Sequence, residues 1–269
     1  MTNAALRGKP DAGNPHVRFD EGEVASAATP RRGSLLYNNK SLPLVVGHET
    51  DGTDIAFDLA TLPHLLIGGC TGSGKSVCIK SILAELMRTK TPDEVQFLLY
   101  DEKCVEFRNF GDSPYLLQPV VTEMEAFLVA LENLETTIQE RLGKWEQQGL
   151  PRIIVVADEF ADLMVNYGEK AEPLLSRILV NARAAGVHFI FATQRHDEIV
   201  LSGTLRCGFP GRMAFKIYGR ESSDLLIEGC DAESLNGRGE FLLLDSQEIH
   251  RGQGVYISDE DLYKSARKS

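Results

Sequence analysis

Apolar and polar positions divide the chain into an unpatterned start and a long alternating body. Residues 1–33 are rich in Gly, Pro, Ala and charge and show neither strand nor helix periodicity, so a disordered N-terminal tail is expected there. Residues 42–46 read as a strand, 47–53 as a polar turn and 54–59 as the returning strand, a small N-terminal β-hairpin. Further strands are expected at 65–68, 95–100, 153–157, 188–192, 212–217, 239–244 and 254–257. Helices are expected at 75–88, 124–145 and 172–185. In the second, Phe127, Leu128, Leu131, Leu134 and Ile138 recur at helical spacing, and Gly186 stops the third. Unbroken Val, Ile and Leu runs mean strands buried on both faces. The expected fold is therefore α/β, a mostly parallel central sheet flanked by helices. The patterned body spans residues 34–262, and 263–269 form a polar, basic and flexible C-terminal tail.

A glycine-rich segment sits between the strand at 65–68 and the helix at 75–88. Gly69, Cys70, Thr71, Gly72, Ser73, Gly74, Lys75 and Ser76 fit G-x-x-x-x-G-K-[ST]. Glycines let backbone N–H groups turn inward around a β-phosphate, and the helix beginning at Lys75 points its positive end there. Lys75 would reach the β- and γ-oxygens and Ser76 would ligate Mg²⁺. The apolar strand 153–157 ends in Asp158 and Glu159, at the edge where parallel sheets carry their sites. Asp158 would orient the metal and Glu159 would polarise the attacking water. A third apolar strand ends in Thr193 and Gln194, and the Gln194 amide could contact the γ-phosphate or its water. The cofactors implied are ATP and Mg²⁺.

Composition narrows this picture. A net charge of −11 argues against a protein that coats nucleic acid and leaves room only for a local, few-phosphate contact. Arg206, Lys216 and Arg220, near the later strands, are the candidates for one. No apolar run reaches the roughly 18 residues that span a bilayer, and the first residues lack the apolar core of a secretory signal. Five cysteines without a CxxC pair read as reduced thiols in a cytoplasmic protein. His48, His64, His188, His196 and His250 have no metal-ligand spacing.

The three elements together resemble the FtsK/SpoIIIE family of ring-forming DNA-pumping ATPases. The resemblance is carried by Pro63-His-Leu-Leu-Ile-Gly-Gly-Cys-Thr-Gly-Ser-Gly-Lys-Ser76, Val156-Ala-Asp-Glu-Phe-Ala-Asp-Leu-Met164, Asn181-Ala-Arg-Ala-Ala-Gly-Val-His188 and Ala192-Thr-Gln-Arg195. Glu233-Ser-Leu-Asn-Gly-Arg-Gly239 and Arg251-Gly-Gln-Gly254 match less closely. It implies a RecA-like P-loop motor that forms a hexameric ring around double-stranded DNA, with ATP held between subunits. It also implies an arginine supplied by the neighbour, Arg183 first and Arg212 second. The chain departs from the family pattern at Asp101-Glu102-Lys103, where D-P-K is usual, and at His196, where a proline follows A-T-Q-R. No membrane-spanning segment is read before the motor and no basic winged-helix module after it, so little DNA sequence preference is expected. A DNA translocase is the first functional reading. A packaging or conjugative-transfer ATPase of a phage or mobile element is the second, and a protein-export ATPase of the type VII kind the third.

Overall fold

The computed structural model describes residues 42–245 and 248–267; the tail expected over 1–33 lies outside them. Five strands form the part of the sheet that carries the glycine-rich loop: β3 (His64–Gly68), β4 (Val95–Tyr100), β5 (Arg152–Ala157), β6 (Val187–Thr193) and β7 (Gly211–Ala214). They lie in the order β7-β3-β6-β5-β4 and every neighbouring pair is parallel. Three helices link them: α1 (Lys75–Thr89) between β3 and β4, α2 (Met124–Arg141) between β4 and β5, and α3 (Ala161–Ala182) between β5 and β6. Parallel strands need such crossovers, which cover both sheet faces. That is why the apolar runs are continuous. Leu66, Phe189 and Phe191 pack with α2 and α3 on one face. Leu65, Ile67, Ile190 and Ala192 pack with α1 on the other.

The rest of the sheet corrects the mostly parallel expectation. β1 (Pro43–His48), β2 (Asp54–Asp58), β8 (Glu240–Asp245) and β9 (Glu248–Gly254) extend it in the order β2-β1-β9-β8-β7, with every pairing antiparallel. The hairpin is thus not a separate feature; it continues the central sheet through β9. Strand β9 was expected at 254–257 but ends at Gly254. It is mostly exposed, so it carries no apolar signal. The interval between β8 and β9 is too short for a crossover, which forces the antiparallel pairing.

Helix boundaries differ for local reasons. α2 ends at Arg141 rather than continuing to Trp145. The Trp145 indole instead donates to Ala184 O at 3.0 Å and covers Gly186, whose φ of 70° terminates the preceding turn. α3 begins at Ala161, well before residue 172. Gly168, Pro173 and a break at Tyr167 (φ −129°) hide its first half in the sequence. Three short helices went unread: α4 (Gly203–Gly208), α5 (Arg220–Leu226) and α6 (Asp259–Ala266). Residues 263–266, expected to fray, complete α6; Ala266 is buried and its carbonyl accepts from Ser113 Oγ at 2.5 Å. Among the described residues no helix is long and apolar enough to cross a membrane.

Candidate nucleotide site

The glycine-rich loop leaves β3 at Gly68 and is strung between its two neighbouring strands. Gly69 N–H donates to Thr193 O (3.3 Å), at the end of β6, and Cys70 N–H to Lys216 O (2.7 Å), just past β7. Gly74 has φ 123°, and a Cβ there would lie 2.8 Å from Gly239 Cα. Gly239 N–H in turn donates to Ser73 O at 2.8 Å, so the segment before β8 forms the loop's outer wall. Only glycine allows both that backbone conformation and that approach.

Lys75 opens α1 and is buried, with its ammonium on Gly69 O (2.7 Å) and Cys70 O (3.1 Å). Burial lowers its pKa, opposed by Glu159 and Asp158. Ser76 Oγ donates to Asp158 Oδ1 at 3.3 Å. Burial, and after it the carboxylates of Glu106 and Asp101, push Asp158 up to about 6. A cation delivered beside Asp158 relieves that strain. A hydroxyl and a carboxylate meeting at a helix start form a hard-oxygen donor set of the kind Mg²⁺ takes beside substrate phosphates. The residues therefore fit a magnesium nucleotide.

Glu159 is pinned between two elements. Its Oε1 accepts from Ala161 N–H (3.2 Å) and its Oε2 from Gln194 N–H (2.9 Å). The Gln194 side-chain oxygen accepts the Thr71 hydroxyl, so P-loop, β5 end and β6 end are tied in one circuit. The eight loop residues, Asp158, Glu159 and Gln194 thus come together as the sequence reading expects.

The two candidate arginines do not join them. Arg183 is exposed and precedes β6, whose seven residues hold it about 20 Å from its own Gln194. Arg212 is half-buried, and its guanidinium is engaged by Arg206 O (3.1 Å), Phe209 O (3.4 Å) and Leu226 O (3.5 Å). The suggested DNA-facing cations are also engaged. Lys216 Nζ donates to Leu235 O (2.7 Å), Arg206 to Leu225 O (3.3 Å), and Arg220 pairs with Asp224, Asp231 and Glu233.

Sequence reasoning missed three contributors. Asp101 is buried and caps its own loop by accepting Glu106 N–H (2.7 Å) and Phe107 N–H (3.0 Å). Its signal was the acid after the β4 apolar run. Glu106 offered none. His196 packs against the strand that feeds the loop: a Cβ on Gly68 would lie 2.6 Å from His196 Nε2. Burial, then Lys75, lowers its pKa to about 4, so the imidazole is neutral. The departure from proline at this position was its signal.

A profile of the FtsK/SpoIIIE family matches residues 31–150 and 143–198. The chain belongs to the FtsK/SpoIIIE family. Within it, the chain is 35% identical over 247 residues to the DNA translocase FtsK of Treponema pallidum (strain Nichols), covering 84% of this chain and 31% of that one. It therefore spans about a third of the length of that relative. Among solved structures, the pCW3 conjugation coupling protein TcpA, in its monomer form with ATPγS, superposes with TM-score 0.72 at 26% identity. That match covers 85% of this chain and 70% of TcpA. The cytoplasmic domain of the type VII secretion ATPase EccC from Thermomonospora curvata shares the fold, with TM-score 0.75 at 23% identity over 86% of this chain and 31% of EccC.

Proposed function

We propose that this chain is an ATP-hydrolysing motor that moves double-stranded DNA, working as a ring in which each site is completed by the neighbouring copy. The observation that carries the chemistry is the circuit Thr71–Gln194–Glu159, joined at the end of β5 to the Ser76–Asp158 pair. The loop amides and Lys75 bind the phosphates. Ser76 and Asp158 hold the metal, which when bound neutralises phosphate charge. Glu159, fixed at both carboxylate oxygens, orients the attacking water. Gln194 touches Glu159 through its backbone and the loop through its side chain, so it can pass a change at the phosphate to β6. The family membership and the relative named a DNA translocase support DNA as the substrate. The likeness to a conjugation coupling protein supports a second reading, transfer of DNA between cells, with the same chemistry.

Arg183 is the arginine assigned to the neighbour's site. It is exposed and too far from its own loop, whereas Arg212 is committed within its own subunit. DNA contact is few-phosphate and salt-sensitive, given the net charge of −11. The deciding measurement is ATP turnover with and without linear duplex DNA. Duplex should stimulate it, and Glu159→Gln should bind ATP normally while turnover falls about 10²- to 10⁴-fold. Turnover indifferent to DNA would remove the translocase reading; unaltered turnover in Glu159→Gln would remove the site assignment.

A further inference from the structure

Arginines gather around Trp145, the chain's single tryptophan. The Arg152 guanidinium lies over the indole, 4.8 Å from the ring centroid, and that of Arg141 lies at 5.9 Å. Each has a second partner: Arg152 Nη1 meets His188 Nε2 at 3.1 Å, and Arg141 Nη2 donates to Pro151 O. Arg183 differs from both. It opens the 3-10 turn Arg183–Ala185, it is exposed, and among the described residues it pairs with no carboxylate.

The turn that carries Arg183 is held from two sides. The Trp145 indole N–H donates to Ala184 O at 3.0 Å, and Ile153 N–H, in β5, donates to Gly186 O at 2.9 Å. Gly186 N–H closes the turn on Arg183 O at 3.1 Å. The indole is pressed on Gly186, where an added Cβ would come within 2.9 Å of three ring atoms. The turn, the indole and the end of β5 therefore form one packed unit, and Arg183 projects from it.

We propose that Trp145 is a positioning residue for Arg183: it fixes the turn from which that arginine reaches the neighbouring copy's nucleotide, and it holds Arg141 and Arg152 back on its ring. The inference rests on the ring reading above. A guanidinium that neutralises a transferring phosphoryl group acts through directed N–H donors, so its placement matters as much as its charge. The side chain of Arg183 is long, and its reach is set by where the turn puts its Cα. A misplacement of about 1 Å at a reacting centre can cost about a hundredfold in rate. Indole suits the task because it offers both things the turn needs. Its N–H takes the Ala184 carbonyl, and its π face attracts the two guanidinium groups that would otherwise crowd Arg183. Phenylalanine would keep the face and lose the donor.

The test is subunit mixing with the full chain, with turnover, Mg-ADP affinity and urea midpoint measured for each variant. Trp145→Ala should lower turnover about tenfold and leave Mg-ADP affinity within about twofold. Its own P-loop is intact and the arginine it lends is misplaced. Mixing it with Lys75→Ala subunits should therefore raise turnover, as mixing should for Arg183→Ala. Trp145→Phe should fall between wild type and Trp145→Ala, and it carries the test if Trp145→Ala does not fold. In an Arg183→Ala background, Trp145→Ala should lower turnover by no more than about a further twofold, since it acts through that arginine. Wild-type turnover in both Trp145 variants, a loss that adds in full in the double variant, or a matching loss of Mg-ADP affinity would each overturn the proposal. Failure of Arg183→Ala to gain on mixing would overturn the ring reading along with it. A gain for Arg183→Ala with none for either Trp145 variant would leave that reading standing and overturn this one.

Discussion

The two ends of the parallel strands carry different ionisable groups. At the C-terminal ends lie Asp101, Asp158 and Glu159, with Glu106 close by. The pKa of buried Asp158 is raised by burial and by its acidic neighbours. At the N-terminal ends lie His64, Arg152, His188, Arg212 and, just before β6, Arg183. There burial comes first, and Arg152 and Arg183 add to it, in lowering the pKa of His188 to about 3; burial, with Arg183, lowers His64 to about 4. His188 Nε2 faces Arg152 Nη1 at 3.1 Å while Nδ1 faces Pro63 O at 3.2 Å. The neutral ring with its proton on Nδ1 satisfies both. One end thus gathers a buried carboxylate and its acidic neighbours around Lys75, and the other sets arginines beside two neutral imidazoles. In the head-to-tail ring proposed above, one end of each copy would face the other end of the next.

The largest expected break in this comparison comes from Arg183→Ala. Removing a guanidinium supplied in trans should lower turnover about 10³-fold with ATP binding intact. Mixing Arg183→Ala with Lys75→Ala subunits should restore some activity, because one mixed interface pairs an intact loop with an intact arginine. Activity unaffected by mixing and by dilution would show that the two ends do not meet. Next in size is the apolar layer between them. Phe191 is fully buried in β6, so Phe191→Ala should cost about 3–5 kcal/mol in urea unfolding. The smallest effect is on pH dependence, where the ends pull in opposite directions. His64 and His188 have folded pKa values below the ordinary 6.5, so their stabilisation is complete above pH 6.5 and is lost as pH falls through about 4 for His64 and about 3 for His188. Asp158 is raised from 3.8 to about 6, so its stabilisation of the metal-free protein is present below 3.8 and lost as pH rises through about 6. Each contributes a slope approaching about 1.4 kcal/mol per pH unit. Urea midpoints between pH 6.5 and 4 should fall more steeply for Asp158→Asn than for wild type, and less steeply for His188→Asn. Identical slopes in all three would refute the contrast.

Much of the acidic end was legible because its chemistry is local in sequence. The P-loop is eight consecutive residues at a strand–helix junction, and Asp158 and Glu159 directly follow an apolar strand. The basic end was less legible. Nothing in the spacing of His64 and His188 says that both are buried or that His188 stands beside Arg152, because that depends on which strands become neighbours. Arg212 is a candidate by residue type, and its three carbonyl partners within its own subunit are visible only in the structure.

By itself, the sequence determined the parallel core, the glycine-rich loop and the two carboxylates that follow β5, since burial on both faces and a glycine-rich turn are written in consecutive residues. Tertiary structure decided the rest. Thr71 and Gln194 are 123 residues apart, and Glu159 and Gln194 are 35 apart; they meet only because β3, β6 and β5 lie side by side. It also decided that β8 and β9 turn back on the sheet, so that Gly239 and Gly254 wall a cavity beside the loop. Periodicity reports which face of an element is buried; what it is buried against is set by strand order, and pKa values and pockets follow from that neighbour.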